Sequence, residues 1–150
     1  MAHYGLSLAW GLTVDCARPR TPAAFWSVAL GYVEPPPPAG SASWAEWLTA
    51  QGVSPQEWDD AAYLADPEGT GPTLSFLRVP EPKTTKNRLH VDVKVSGGRG
   101  QPAELRRQRI QDAVDRLVDA GATVERYDDP DGVLDHVVMA DPEGNEFCVV

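Results

Sequence analysis

The stretch Val133-Leu134-Asp135-His136-Val137-Val138-Met139-Ala140-Asp141-Pro142-Glu143-Gly144-Asn145-Glu146-Phe147-Cys148-Val149-Val150 sets two β-prone runs on either side of a turn. Proline presets φ, glycine and asparagine tolerate positive φ, and aspartate hydrogen-bonds the nearby backbone, so Asp-Pro-Glu-Gly-Asn predicts a β-hairpin. The same tetrapeptide occurs earlier as Asp66-Pro67-Glu68-Gly69, followed by another strand-like run, Thr73 to Val79. A turn that recurs between similar flanks points to one supersecondary unit used twice.

Working back from the hairpin, Leu89 to Val95 alternates apolar Leu89, Val91, Val93 and Val95 with His90, Asp92 and Lys94. That is a strand with one apolar face. Ser96-Gly97-Gly98-Arg99-Gly100 reads as a loop. A helix from about Pro102 to Ala120 follows, with Ile110, Ala113, Val114, Leu117 and Val118 at helical spacing and Gly121 as its stop. Strand Thr123 to Tyr127 then leads to the hairpin.

The first half repeats this order. A strand from Leu6 to Cys16 precedes a helix with Thr21 as the expected N-cap and Gly31 as the stop. From Gly31 to Asp66 is a longer span than from Gly121 to Asp141, and the excess falls on a segment of about 34–60. It holds four consecutive prolines, Pro35 to Pro38, and Trp44, Trp47 and Trp58. Ser43 and Glu46, and again Ser54 and Glu57, match the capping box of a short helix. The expected fold is α+β: a single domain of two βαβββ modules, about 6–80 and about 89–150, joined by a linker at about 80–88.

Bulk properties narrow the function. The net charge of −9 argues against nucleic acid as a partner, which would need a concentrated basic surface. The one basic cluster, Arg106, Arg107 and Arg109, shares its helix with Asp112, Asp115 and Asp119 and reads as a solvated face with ion pairs. No apolar run approaches the roughly 20 residues of a membrane span. No signal peptide is recognised at the N-terminus, and Cys16 and Cys148 make no disulfide framework, so the cytoplasm is the expected compartment.

The doubled unit resembles the vicinal oxygen chelate superfamily, which includes glyoxalase I, the extradiol dioxygenases and the bleomycin-resistance proteins. The residues that carry the resemblance are Gly11-Leu-Thr-Val-Asp-Cys16, Phe25-Trp26, Leu30-Gly31, Arg78-Val-Pro-Glu-Pro-Lys83, Lys86-Asn-Arg-Leu-His90 and Asp141-Pro-Glu-Gly-Asn-Glu-Phe-Cys148. Together they look like the actinobacterial glyoxalase-like domain subgroup. The resemblance implies a glyoxalase/bleomycin-resistance/dioxygenase-type fold, with two curled four-stranded mixed sheets around a cleft and the helices outside.

Metal-dependent members take ligands from the first and last strands of each module. On that pattern His90 is the only conventional candidate ligand, since the other positions fall on Cys148, on Gly11 and near Leu74 to Phe76. A cofactor-free cleft is therefore the expectation, with a divalent metal as the alternative.

Alternation places His90, Asp92 and Lys94 on one face and Glu146 and Cys148 on another, all five pointing into the cleft if the apolar faces meet the helix. His90 and Glu146 are the catalytic candidates, His90 as a general base. Structurally, His90 could equally be a cleft histidine that orients its neighbours. Asp92, His136, Cys148, Trp44 and Trp47 are the ligand-binding candidates. Structurally, the tryptophans would anchor the insertion, and Cys148 would be a small buried hydrophobe. Two functions compete: a metal-free binder of a small organic molecule, and a lyase, isomerase or dioxygenase using His90 with Glu146 or Cys148. Pairing into a homodimer is expected in either case.

Overall fold

A computed structural model describes residues 9–150. Strand β1 (Gly11–Cys16) leads into helix α1 (Arg20–Leu30). After a short helix α2 (Trp44–Ala50) and a 3₁₀ turn (Pro55–Asp60) come β2 (Ala61–Leu64) and β3 (Thr73–Arg78). The second module runs β4 (Val91–Val93), α3 (Ala103–Asp119), β5 (Thr123–Asp128), β6 (His136–Ala140) and β7 (Glu146–Val149). In each module the first strand lies parallel to the last, β1 beside β3 and β4 beside β7, with the remaining pairs antiparallel. The sheet orders are β1-β3-β2 and β4-β7-β6-β5. The doubled unit is real, and both sheets are mixed and open.

The sequence pattern and the structure part company in three places. The expected four-stranded first sheet has three strands, and its fourth position shrinks to one bridge, Val33 to Ala65. Pro35 to Pro38 follow at once, and proline has no N–H to give a ladder. The strand expected from Leu89 to Val95 is confined to Val91–Val93. Beyond it the Val95 and Ser96 N–H groups converge on the Val150 carbonyl, at 2.8 and 3.0 Å, and leave the ladder. Finally, α1 starts at Arg20 with Pro19 at the cap, so Thr21 lies inside the first turn rather than capping it. The expected beginning of the first strand at Leu6 falls partly outside the described residues.

One core runs through both modules. Helix α1 buries Phe25 and Trp26, α3 buries Ile110, Val114 and Leu117, and β6 and β7 oppose them with Val137, Met139, Phe147 and Val149. The seam is aromatic: Phe25, Trp26 and Phe147 have ring centroids 5.2–5.6 Å apart in edge-on and tilted arrangements that suit their quadrupoles. The Arg116 guanidinium also reaches across from α3 to the Val28 carbonyl of α1, at 2.6 Å.

The two Asp-Pro-Glu-Gly turns share local chemistry but do different jobs. Asp66 accepts from the Glu68, Thr70 and Gly71 N–H groups and the Thr70 hydroxyl, which holds its carboxyl down at about 2. Asp141 closes its own turn through the Glu143 and Asn145 N–H groups, and its other oxygen accepts from the Trp26 indole at 3.0 Å. Glu143 in turn accepts from the Ala17 and Arg18 N–H groups, at 3.1 and 3.0 Å. A carboxylate just ahead of α1 suits the positive end of that helix. The second turn thus fastens the modules together.

Trp26→Phe keeps an aromatic ring in the seam but takes the donor from Asp141, which is 4% exposed. Urea unfolding is expected to show a loss of about 1.5–3 kcal/mol, the range for a hydrogen bond to a charged group.

Candidate functional site

The docking of α1 against β7 leaves a cavity of about 600 Å³ between the modules. Its module-one walls are Leu12, Val14, Leu74 and Phe76 from the sheet and Trp26 and Leu30 from α1. All six belong to the hydrophobic core or pack against it. Module two supplies the polar side with Asn87, His90, Asp141, Asn145 and Glu146. An apolar chamber with polar groups gathered on one side is the usual form of a small-molecule site.

His90 and Glu146 meet there. His90 Nε2 lies 3.4 Å from Glu146 Oε2, and the Lys86 ammonium pairs with the same carboxylate oxygen. That pairing holds the Glu146 carboxyl below its ordinary range, with His90 and Lys83 pulling the same way and partial burial opposing. On the other side of the ring, His90 Nδ1 is 4.0 Å from Cys148 Sγ. Burial, followed by the charge of Asp92, pushes the Cys148 thiol up.

The remaining candidates lie elsewhere. Asp92, His136 and Cys148 line a second cavity of about 690 Å³ made by module two alone, together with Lys94, Arg99 and Arg106. The five residues expected in one cleft are therefore divided: His90 and Glu146 face module one, while Asp92, Lys94 and Cys148 line the other cavity. Glu146 directly follows the turn docked on α1, so its end of β7 meets module one. His136 is held by two carboxylates, Nδ1 to Asp135 at 3.1 Å and Nε2 to Asp128 at 3.3 Å.

Trp44 and Trp47 stay within module one. Trp44 stacks on Tyr63 with centroids 5.8 Å apart and packs edge-on to Trp47 at 5.6 Å, and its indole donates to the Pro35 carbonyl. With Pro35, Pro38 and Tyr63 they border a recess of about 250 Å³. The structure gives them an anchoring part and no contact with the His90 cavity.

Sequence reasoning missed three contributors. Lys86 falls in the polar linker, where nothing local marks it as a partner of Glu146. The apolar wall of Leu12, Val14, Leu74 and Phe76 reads as ordinary core. The arginine cluster on α3 is solvated only in part: Arg107 and Arg109 are exposed and donate to the Gly132 and Ser96 carbonyls, whereas Arg106 is buried. In place of Asp112, Asp115 and Asp119, the loops at the head of α3 take these side chains. Four arginines between residues 99 and 109, beside a Gly-Gly loop, were the available signal.

The donor set does not suit a chelated metal. Among the described residues no three histidine, cysteine, aspartate or glutamate side chains converge in a way that could hold an ion. Glu146 and Cys148 approach opposite nitrogens of the His90 ring, and an imidazole ligand presents only one nitrogen to a metal. Nor is any helix of the described residues long and apolar enough to cross a membrane.

Comparison with known proteins gives a consistent picture of the fold. A family model described as a glyoxalase-like domain matches residues 11–150. A possible glyoxalase from Bacillus cereus superposes with a TM-score of 0.57 at 15% identity, covering 97% of this chain and 99% of that one. A glyoxalase/bleomycin resistance protein/dioxygenase family enzyme from Burkholderia phytofirmans gives 0.56 at 16% identity, with 92% and 93% covered. A variant of the fosfomycin resistance protein FosX from Listeria monocytogenes, complexed with Mn(II) and 1S,2S-dihydroxypropylphosphonic acid, gives 0.58 at 10% identity, with 96% and 89% covered. No curated protein matches the chain significantly by sequence.

Both thiols are poorly disposed to react. Burial, then Glu143 and Asp141, pushes Cys16 up to about 11, and Cys148 is raised as well. Raised values mean less thiolate at neutral pH. Iodoacetamide should therefore alkylate the native protein more slowly than free cysteine near pH 7, with the rate still climbing above pH 9. Rapid neutral labelling of Cys148 would identify it as an activated nucleophile instead.

Proposed function

Given that the chain belongs to the glyoxalase-like domain family, we propose that it binds a small organic molecule in the cavity between its two modules, without a chelated metal. The observation that carries this reading is the cavity of about 600 Å³, largely apolar and with His90, Asn145 and Glu146 among its polar groups, to which both modules contribute. Its size falls in the range of about 300–1,000 Å³ typical of ligand pockets. The apolar wall would take the body of the ligand. Glu146, kept ionised by Lys86, would accept from a ligand N–H or O–H or face a cationic group, and Asn145 offers further polar atoms at the same side.

A second reading, that of a lyase, isomerase or dioxygenase, is favoured by the contact between His90 and Glu146. An ionised Glu146 beside Nε2 would favour the tautomer that carries its hydrogen there and leaves Nδ1 with its lone pair, as a general base requires. Glu146 is then a positioning residue that orients the imidazole and stabilises it when protonated. A FosX variant, complexed with Mn(II), is similar to this chain in fold, while among the described residues here no three histidine, cysteine, aspartate or glutamate side chains are grouped to hold an ion.

Two variants and one analysis test the proposal. Leu74→Trp fills the apolar wall, and Glu146→Gln removes the charge at the polar side. A ligand with an amino or hydroxyl group, found by tryptophan-fluorescence screening, should lose binding to the first variant. It should bind the second about tenfold or more weakly, the equivalent of about 1.4 kcal/mol. Metal analysis of protein purified without chelators should find no stoichiometric ion. A stoichiometric metal that disappears in His90→Ala would overturn the metal-free reading and favour the enzyme.

A further inference from the structure

The cavity in module two has a buried guanidinium with unmet hydrogen-bonding capacity at its edge. Arg106, near the start of α3, is 7% exposed overall, and its side chain is 9% exposed. The guanidinium makes no hydrogen bond among the described residues, although it carries five donor hydrogens, and its buried Nε has no partner. The nearest anion, Asp135, is 3.6 Å away, beyond hydrogen-bond distance, and is already engaged. Arg99 takes both of its oxygens, at 3.1 Å each, and His136 Nδ1 a further contact at 3.1 Å. A buried cation left without hydrogen bonds is costly, and native structures seldom tolerate one without a partner.

The surroundings suit an anion. Among the side chains that line the cavity are three cationic ones, Lys94, Arg99 and Arg106, and two anionic ones, Asp92 and Asp135. Gly97 and Gly98 both have positive φ, which folds the loop between β4 and α3 back onto Arg109. A Cβ at Gly97 would come within 2.7 Å of the Arg109 guanidinium, so that close approach depends on glycine.

From the buried guanidinium on the wall of this cavity, which makes no hydrogen bond among the described residues and has its ion-pair partner Asp135 at 3.6 Å, we infer that module two holds an oxyanion site, with Arg106 as its principal donor and Arg99 and Lys94 as its outer charges. Carboxylate and phosphoryl groups both present paired oxygens to the planar guanidinium fork, and that shared chemistry defines the ligand class. The site lies within one module and is independent of the cavity between the modules.

The test compares wild type with Arg106→Met, a substitution of similar bulk that removes the charge, by thermal unfolding at constant ionic strength. Inorganic phosphate and acetate serve as probes, with chloride as the reference. Either probe, or both, should raise the wild-type Tm in a saturable manner and leave the variant unmoved, and their ranking separates phosphoryl from carboxylate recognition. Equal behaviour of wild type in phosphate, acetate and chloride would overturn the inference, as would a shift that persists in the variant. Should Arg106→Met fail to fold, the Arg106 Nε–H resonance of wild type decides: saturable movement on adding a probe supports the site, and no movement overturns it.

Discussion

The contact on which the rest of the structure depends is the indole of Trp26 on the carboxylate of Asp141. One oxygen of Asp141 holds its own turn while the other holds the opposite module. Glu143, two residues on, ties the same turn to the backbone entering α1. Local turn chemistry and module docking thereby become a single constraint. It seats Phe147 against Phe25 and Trp26, fixes which end of β7 meets module one, and so decides that Glu146 and His90 border the shared cavity.

The doubled architecture was legible because turn chemistry is local. Asp, Pro, Glu and Gly dictate a turn wherever they occur together, and Asp66 and Asp141 each accept their turn's N–H groups as that chemistry requires. The period-two pattern likewise placed Phe147 and Val149 in the core, with Glu146 and Cys148 on the opposite face. Other features depend on where the modules meet, which no local pattern encodes. Alternation assigned His90 and Asp92 to one face, and the structure sends them to different cavities. His90 lies just ahead of β4, where Leu89 and Val91 line the same cavity, so alternation does not govern its surroundings.

Arg106 illustrates a different limit. Helical periodicity treats arginine as solvent-facing, and its neighbours Arg107 and Arg109 were read the same way. All three lie at the end of α3 where the loop after β4 and the turn near Gly132 close over it, and those loops supply the carbonyls that Arg107 and Arg109 contact. Burial there follows from loop placement, to which helix amphipathicity is blind. The missing cap at Thr21 has a similar origin, because Pro19 is already helical and Glu143 arrives from the other module.

The insertion that replaces the fourth strand of module one also alters how that sheet presents itself to other chains. An outer strand normally offers a row of free N–H and C=O groups, which invites edge-to-edge aggregation. Beyond β2 this chain has a single bridge, at Val33, and then four prolines with no hydrogens to donate, while Trp44 lies flat over Tyr63. A foreign strand would find little ladder to extend. The proline run thus protects a margin that the second module covers with a full strand, β5, itself a sheet border, where Glu125 and Arg126 stand as exposed charges.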